Sequence, residues 1–347
     1  AASRAAKIVA PLFQRFQVPR EQWTRTRIPL VGVPNTRPAT AGAFITKDQR
    51  FINFIPYRIK NPLTQQDTFY CAKRPGFEAL NTPSTGNVGT ALMVWQAVGT
   101  GSTILSAFGA TTSTIFEGTT SLGALTTSSR ARDITESIAT GTATAVIPAT
   151  NNSLWFYPTA GALTRVTDVD YPGEAGRTTV GNCAHMDGYT FIMDAVGRIY
   201  NSDLNSFSAW TADSYVTPTM FPFHGVGVAR HHDTIVAFGK TSIEFYENVG
   251  NTPSPLEARD ILATSIGGVL PASHGLTIRQ VNDQIFFVGM SRLGGGGIYV
   301  LDNFQVKKVS TQPIDAQVEV QEPQNCTLTT GRIWGKDLLF LQAGQSY

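Results

Sequence analysis

Short apolar runs, each opened by a polar turn and followed by a glycine, punctuate the last two hundred residues of the chain. One reads Asn151-Asn152-Ser153-Leu154-Trp155-Phe156-Tyr157 and turns at Gly161. The pattern returns as Asp187-Gly188-Tyr189-Thr190-Phe191-Ile192-Met193, turning at Gly197 and resuming at Arg198-Ile199-Tyr200. It returns again as Asp233-Thr234-Ile235-Val236-Ala237-Phe238, turning at Gly239 and resuming at Ser242-Ile243-Glu244-Phe245-Tyr246. Asp283-Gln284-Ile285-Phe286-Phe287-Val288 turns through Gly294 to Gly297 into Ile298-Tyr299-Val300, and Asp337-Leu338-Leu339-Phe340-Leu341 turns at Gly344. Anchors at 152, 188, 233, 283 and 337 lie 36, 45, 50 and 54 residues apart. Runs this short, bounded by turn residues, predict strands. Units of about 40–50 residues holding several strands fall in the propeller range, because one small sheet cannot bury both its faces and must stack on the next around an axis. The pattern therefore predicts an all-β fold: a β-propeller-like body of short antiparallel sheets, with five or six blades between residues 80 and 347. A sandwich of hairpins is the alternative.

The earlier part of the chain reads differently. Phe51, Phe54 and Ile55 with Tyr57 and Ile59 predict short strands, as does Thr68-Phe69-Tyr70-Cys71-Ala72. Residues 100–144 hold 20 Ser or Thr among 45. Threonine suits an exposed strand face; a mucin-like tract is the alternative, but Ile104, Leu105, Phe108, Ile115, Phe116, Leu122 and Leu125 supply the apolar positions such tracts lack. Residues 3–17 carry a helical stripe, Ile8, Leu12 and Phe16 with Val9 and Phe13 beside it, which Pro11 starts or kinks. Pro19, Pro29, Pro34 and Pro38 exclude regular structure up to about residue 40. The expected division is an extended arm with a short helix over 1–45 and the propeller-like body over 46–347. The hairpin opening at Asp337 lacks most of its return strand, so we expect a body truncated at the C-terminal end of a longer polypeptide.

Charge sharpens this division. The net charge of +2 conceals an excess of +10 in residues 1–76, where 13 Lys or Arg meet only Glu21, Asp48 and Asp67, against −8 in the remainder. Arg15, Arg20, Arg25 and Arg27 are spaced among Pro and Thr without the motif of a nucleic-acid module. We read them, with the apolar teeth Ile8, Leu12, Phe13 and Phe16, as contacts to a neighbouring subunit or partner, direct DNA contact being the second reading. No apolar run approaches membrane-spanning length. The start at Ala1-Ala2-Ser3-Arg4 does not read as a complete signal peptide. Cys71, Cys183 and Cys326 are odd in number and far apart, which points to a reducing site of assembly rather than a disulfide framework.

Candidate chemistry is sparse. His231-His232-Asp233 resembles a metal cluster, but neighbouring strand residues face opposite ways, so a turn is the expected home. Asp168 and Asp170 are a possible carboxylate pair for glycoside cleavage, or a solvated loop beside Tyr171-Pro172-Gly173. No HExxH, zinc spacing or GxSxG elbow occurs, and Gly331-Arg332-Ile333-Trp334-Gly335-Lys336 is too short for a phosphate loop. We expect no catalytic, cofactor-binding or metal site, and no cofactor. Trp155, Tyr157, Trp210 and Tyr215 are candidates to stack on sugar, or to fill blade cores.

Two stretches carry a specific resemblance. Arg50-Phe51-Ile52-Asn53-Phe54-Ile55-Pro56 followed by Lys73-Arg74-Pro75-Gly76-Phe77, and the block from Gly225-Val226-Gly227 through Asp233 to Tyr246, are similar to the packaged-DNA stabilisation, or tail hub and nozzle, proteins of short-tailed bacteriophages. Ile285–Val288, Ile298–Val300 and Asp337–Leu341 continue the likeness, which covers roughly residues 48–78 and 180–347. The resemblance implies a virion structural protein and not an enzyme, assembled in the host cytoplasm. It implies a homo-oligomeric, hexameric ring beneath the portal and its adaptor, contacting tail fibre or spike and needle proteins. It further implies that the ring retains packaged double-stranded DNA and forms part of the ejection channel, with no sequence-specific contact to the DNA inside. The alternative is a carbohydrate-binding or carbohydrate-cleaving phage propeller, an adhesin or depolymerase.

Overall fold

The computed structural model describes residues 54–60, 67–73, 88–97, 101–159, 161–219, 224–264, 266–272, 275–291, 295–333 and 336–344. The chain divides into two compact units, Ala1–Glu78 and Ala79–Tyr347. In the first, β1 (Phe54–Lys60) and β2 (Asp67–Lys73) form an antiparallel hairpin in which Tyr57 lies opposite Tyr70. These are the two strands that the alternation at Phe54, Ile55, Tyr57 and Ile59 and the run around Phe69 predict.

The second unit is a succession of antiparallel sheets, each built from consecutive strands. The first blade is β3 (Gly89–Ala97), β4 (Gly101–Phe108), β5 (Thr114–Glu117) and β6 (Thr120–Ala124). The second is β7 (Thr135–Ser137), β8 (Thr144–Pro148), β9 (Leu154–Pro158) and β10 (Thr164–Arg165). The third is β11 (Thr179–Met186), β12 (Tyr189–Asp194), β13 (Ile199–Ser202) and β14 (Trp210–Val216). The fourth is β15 (Gly225–His231), β16 (Thr234–Gly239), β17 (Ser242–Asn248) and β18 (Leu256–Thr264). The fifth has five strands, because β19 (Ile266–Gly268) and β20 (Ile278–Val281) both pair with β21 (Gln284–Ser291), which continues to β22 (Gly296–Asp302) and β23 (Gln305–Lys308). A helix, α1 (Gln312–Val320), leads to a sixth sheet of β24 (Cys326–Ile333) and β25 (Lys336–Ala343).

The apolar runs recur because the second strand of each inner blade is buried on both faces. In β16, Ile235 and Ala237 pack toward the third blade while Val236 and Phe238 pack toward the fifth, and all four are fully buried. In β21, Ile285 and Phe287 join the fourth-blade layer, and Phe286 and Val288 the layer against the sixth sheet. A strand with neighbours on both sides has no solvent face to mark with polar residues, so its sequence is a continuous run rather than an alternation. The outer blades show the converse: in β3, Trp95 is fully buried against the second blade, whereas Leu92 and Val94 on the other face are exposed.

One repeat anchor falls out of phase. Asp187, Asp233, Asp283 and Asp337 all stand at the turn entering or beginning the second strand of a blade, but Asn152 opens β9, a third strand. Second strands begin at residues 101, 144, 189, 234, 284 and 336, so the spacing is more regular than the anchors indicate. The cause lies in β8, Thr144–Pro148, where Ala145 and Thr144 stand in place of bulky residues and the entering turn carries Gly141 instead of an aspartate.

Candidate functional site

The first strands of the blades are their innermost strands, and those of the second to sixth sheets converge on one cavity of about 820 Å³. Asp133 and Glu136 come from the second blade, Asn182 and His185 from β11, Arg230 from β15 and Arg279 from β20; Thr330 of β24 completes the circuit. Five successive sheets facing one void is the radial arrangement of a propeller axis. Most of these polar residues lie on first strands whose other side chains enter the layers between blades, and Asp133 lies just ahead of β7.

Inside the cavity most donors and acceptors are engaged. Arg279 donates through Nη1 to Asp133 Oδ1 at 2.7 Å and through Nε to the Leu328 carbonyl at 3.1 Å, tying the fifth blade to the second and sixth. Arg230 donates through Nε to the His232 carbonyl at 2.8 Å and through Nη1 to the His185 carbonyl at 3.4 Å. His185 places Nε2 2.9 Å from Thr135 Oγ1 and Nδ1 3.1 Å from Thr190 Oγ1. Burial, with the Arg230 charge in support, lowers its pKa to about 4, so the ring is neutral at pH 7. Burial also pushes the Cys183 thiol up, which suppresses the nucleophilic thiolate. Asn182 Oδ1 is buried and has no hydrogen-bond partner among the described residues.

The other sequence candidates have structural roles. Asp168 lies in the loop between β10 and β11, where Oδ1 accepts from the Asp170 amide and Oδ2 from the Trp210 amide, both at 3.0 Å. Its two oxygens hold a loop to the third blade rather than flank a substrate bond. His231 ends β15 and His232 turns the chain at φ 54°, with ring centroids 4.3 Å apart. Among the described residues no group of three or more His, Cys, Asp or Glu is placed to hold a metal. Tyr157 and Trp210 are buried, and Trp155 and Tyr215 pack half-buried against the same layers. Trp95 meets Tyr157 edge-on at 5.4 Å, and Tyr171 meets Trp210 at 5.1 Å. Ile8, Leu12, Phe13, Arg15, Phe16, Arg20, Arg25 and Arg27 lie outside the described residues. Among the described residues no helix is long and apolar enough to cross a membrane.

The axial polar set went unread in the sequence, although a signal exists. Arg230 and Arg279 stand three and four residues before Asp233 and Asp283, and His185 stands two before Asp187. A charged or imidazole side chain recurring just ahead of the aspartate turn marks the strand that faces the axis.

Residues 106–341 match the family model described as Bacteriophage P22 Gp10, beta-propeller, a phage stabilisation family. The chain belongs to this family. The match runs from within β4 to within β25 and includes most of the Thr-rich stretch, which contributes β4 to β8 as ordinary blade strands. Family membership makes the protein a virion-associated bacteriophage structural protein with a β-propeller body. No curated protein matches the sequence. Among solved structures, BBS1N in complex with ARL6DN aligns at 10% identity over 70% of this chain and 72% of that one, with a TM-score of 0.40. The AfRom2 CNH domain aligns at 13% identity over 70% and 69%, with a TM-score of 0.39. Chaetomium thermophilum Raptor aligns at 11% identity over 65% of this chain and 21% of that chain, with a TM-score of 0.41.

Proposed function

We propose that the chain is a subunit of the phage tail hub or nozzle. In this reading a hexameric ring attaches beneath the portal and its adaptor, bears fibre or spike and needle proteins, retains packaged double-stranded DNA and forms part of the channel through which it leaves. The observation that carries the reading is the family match across a stabilisation-protein propeller, residues 106–341. The basic arm, with Arg15, Arg20, Arg25 and Arg27 among Leu12, Phe13 and Phe16, grips the body of the neighbouring copy. Contacts of that heterologous kind close into rings. Exposed ion pairs contribute little on their own, so the apolar teeth provide much of the affinity.

A carbohydrate-directed propeller is the lesser reading, since Trp155, Tyr157, Trp210 and Tyr215 are engaged in the layers between blades rather than presented as stacking platforms. The direct experiment is to assemble particles from a phage whose gene for this chain carries an early stop codon. Filled heads that lose their DNA to added nuclease, and regain protection when the chain is supplied, are the expected result. Heads that keep their DNA equally well without it would remove the retention role.

A further inference from the structure

The turns joining first to second strands lie together at one end of the propeller, and that end is acidic. Asp187, Asp233, Asp283 and Asp337 occupy equivalent places in four successive sheets. Hydrogen bonds between neighbouring blades confirm their shared end: Asn248 Nδ2 donates to Asp187 at 2.9 Å, and Asn282 Nδ2 donates to Asp337 at 3.1 Å. The axial cavity opens here, where Glu136, Ile138 and Asp187 of its wall are exposed. Neither Glu136 nor Asp187 forms an ion pair among the described residues; Arg279 is paired with Asp133, and Arg230 is held by two backbone carbonyls, so the wall carries three carboxylates against two guanidinium groups.

Apolar surface accompanies the charge. Ile138 is 72% exposed at the mouth, and Leu204, 56% exposed, lies beside Gly188 in the Asp187 turn. The mouth thus asks for a ligand with cationic donors interleaved with apolar side chains. Residues 8–27 of this chain have that composition, with Arg15, Arg20, Arg25 and Arg27 among Ile8, Leu12, Phe13 and Phe16 and Glu21 as the one acid.

We propose that the mouth of the axial cavity is the docking site for the basic arm, residues 8–27, of a neighbouring copy, an inference that rests on the subunit-docking reading above. Glu136 and Asp187 receive arginine side chains, and Ile138 and Leu204 receive the apolar teeth. A nucleic acid is disfavoured at this end because its phosphates would meet the aspartate ring.

The test is fluorescence anisotropy of a labelled synthetic peptide of residues 8–27 added to the full chain. Three forms of the chain are compared: native, Glu136→Lys with Asp187→Lys, and a control with the same charge change at Asp170 and Glu319, away from the mouth. Saturable binding that weakens about tenfold or more in the mouth variant, and stays within about twofold in the control, is the expected result. Should the mouth variant misfold by circular dichroism, Glu136→Gln with Asp187→Asn removes the charge without adding bulk and is expected to weaken binding in the same direction. Equal binding by all three forms would place the arm elsewhere and overturn this site while leaving the docking reading standing. No saturable binding by any form would overturn both. Displacement of the peptide from native chain by a short DNA duplex would make the mouth a nucleic-acid site and end the proposal.

Discussion

At the scale of single residues, the Arg279–Asp133 pair shows what a charge costs inside a propeller. Their side chains are 21% and 5% exposed, so neither ion is well hydrated alone. Arg279→Met leaves the Asp133 carboxylate buried and unpaired, and we expect a loss of about 3 kcal/mol in urea unfolding. Adding Asp133→Asn should restore part of that loss, since the second change removes the stranded charge. His185 gives a pH signature. Its pKa is about 4 in the fold against 6.5 in the unfolded chain, so its contribution is complete above pH 6.5 and is lost as pH falls toward 4. Thermal stability should therefore decline over that window, by at most about 1.4 kcal/mol per pH unit for one proton. His185→Gln should flatten the decline while costing some stability at pH 7, because the Thr135 and Thr190 hydroxyls lose the ring nitrogens they meet. An unchanged acid slope in that variant would show that another group controls the transition. Neither role was legible in the sequence: Arg279 sits in an unremarkable Ile278-Arg279-Gln280-Val281 strand, and its partner lies 146 positions away.

At the scale of elements, blades are held by close approaches that sequence motifs only hint at. Gly181 takes a left-handed φ of 67° in the bulge between β11 and β12, and a Cβ there would come within 2.5 Å of Gly227 Cα in the next blade. Gly181→Ala meets both a strained backbone and an immovable main chain, and a loss of roughly 2 kcal/mol or more is expected. Gly118, at φ 58° with open space around it, is the comparison; its alanine variant should lose only about 1 kcal/mol from backbone strain. Between the fourth and fifth blades, Phe238 and Phe287 meet edge-on at 5.2 Å with no exposed surface. Phe287→Ala should cost about 3–5 kcal/mol in chemical denaturation, far more than Leu92→Ala on the exposed face of β3. The Gly225-Val226-Gly227 element stood out in the sequence as part of a family block, and its physical meaning is this inter-blade contact. The break of the fifth blade's first strand into β19 and β20 is marked in the sequence by Pro271 and Gly275, which local pattern alone does not distinguish from the turns between strands.

At the scale of the whole molecule, an excess of bases over residues 1–76 and of acids over the remainder belong to one chain, and the proposed docking of arm on body makes that complementarity testable. Deleting residues 1–40 is expected to abolish ring formation in sedimentation velocity while leaving the β-sheet circular dichroism of the body intact. A truncated chain that assembles as well as the native one would remove the arm from the account. The propeller itself follows from stacking: a sheet buried on both faces needs two neighbours, and a series of such sheets curves around the axis that its first strands line.

The sequence by itself determined the strands, their turns and the repeat, since polar turn, apolar run and glycine are local signals of backbone conformation. It also determined the excess of bases over residues 1–76 and of acids over the remainder, which is arithmetic. Which face of each strand meets which neighbour, and which scattered polar residues gather at the axis, was decided only in three dimensions. Asp133, Asn182, His185, Arg230 and Arg279 come from four different sheets, and only the stacking of those sheets around one axis brings them to one cavity.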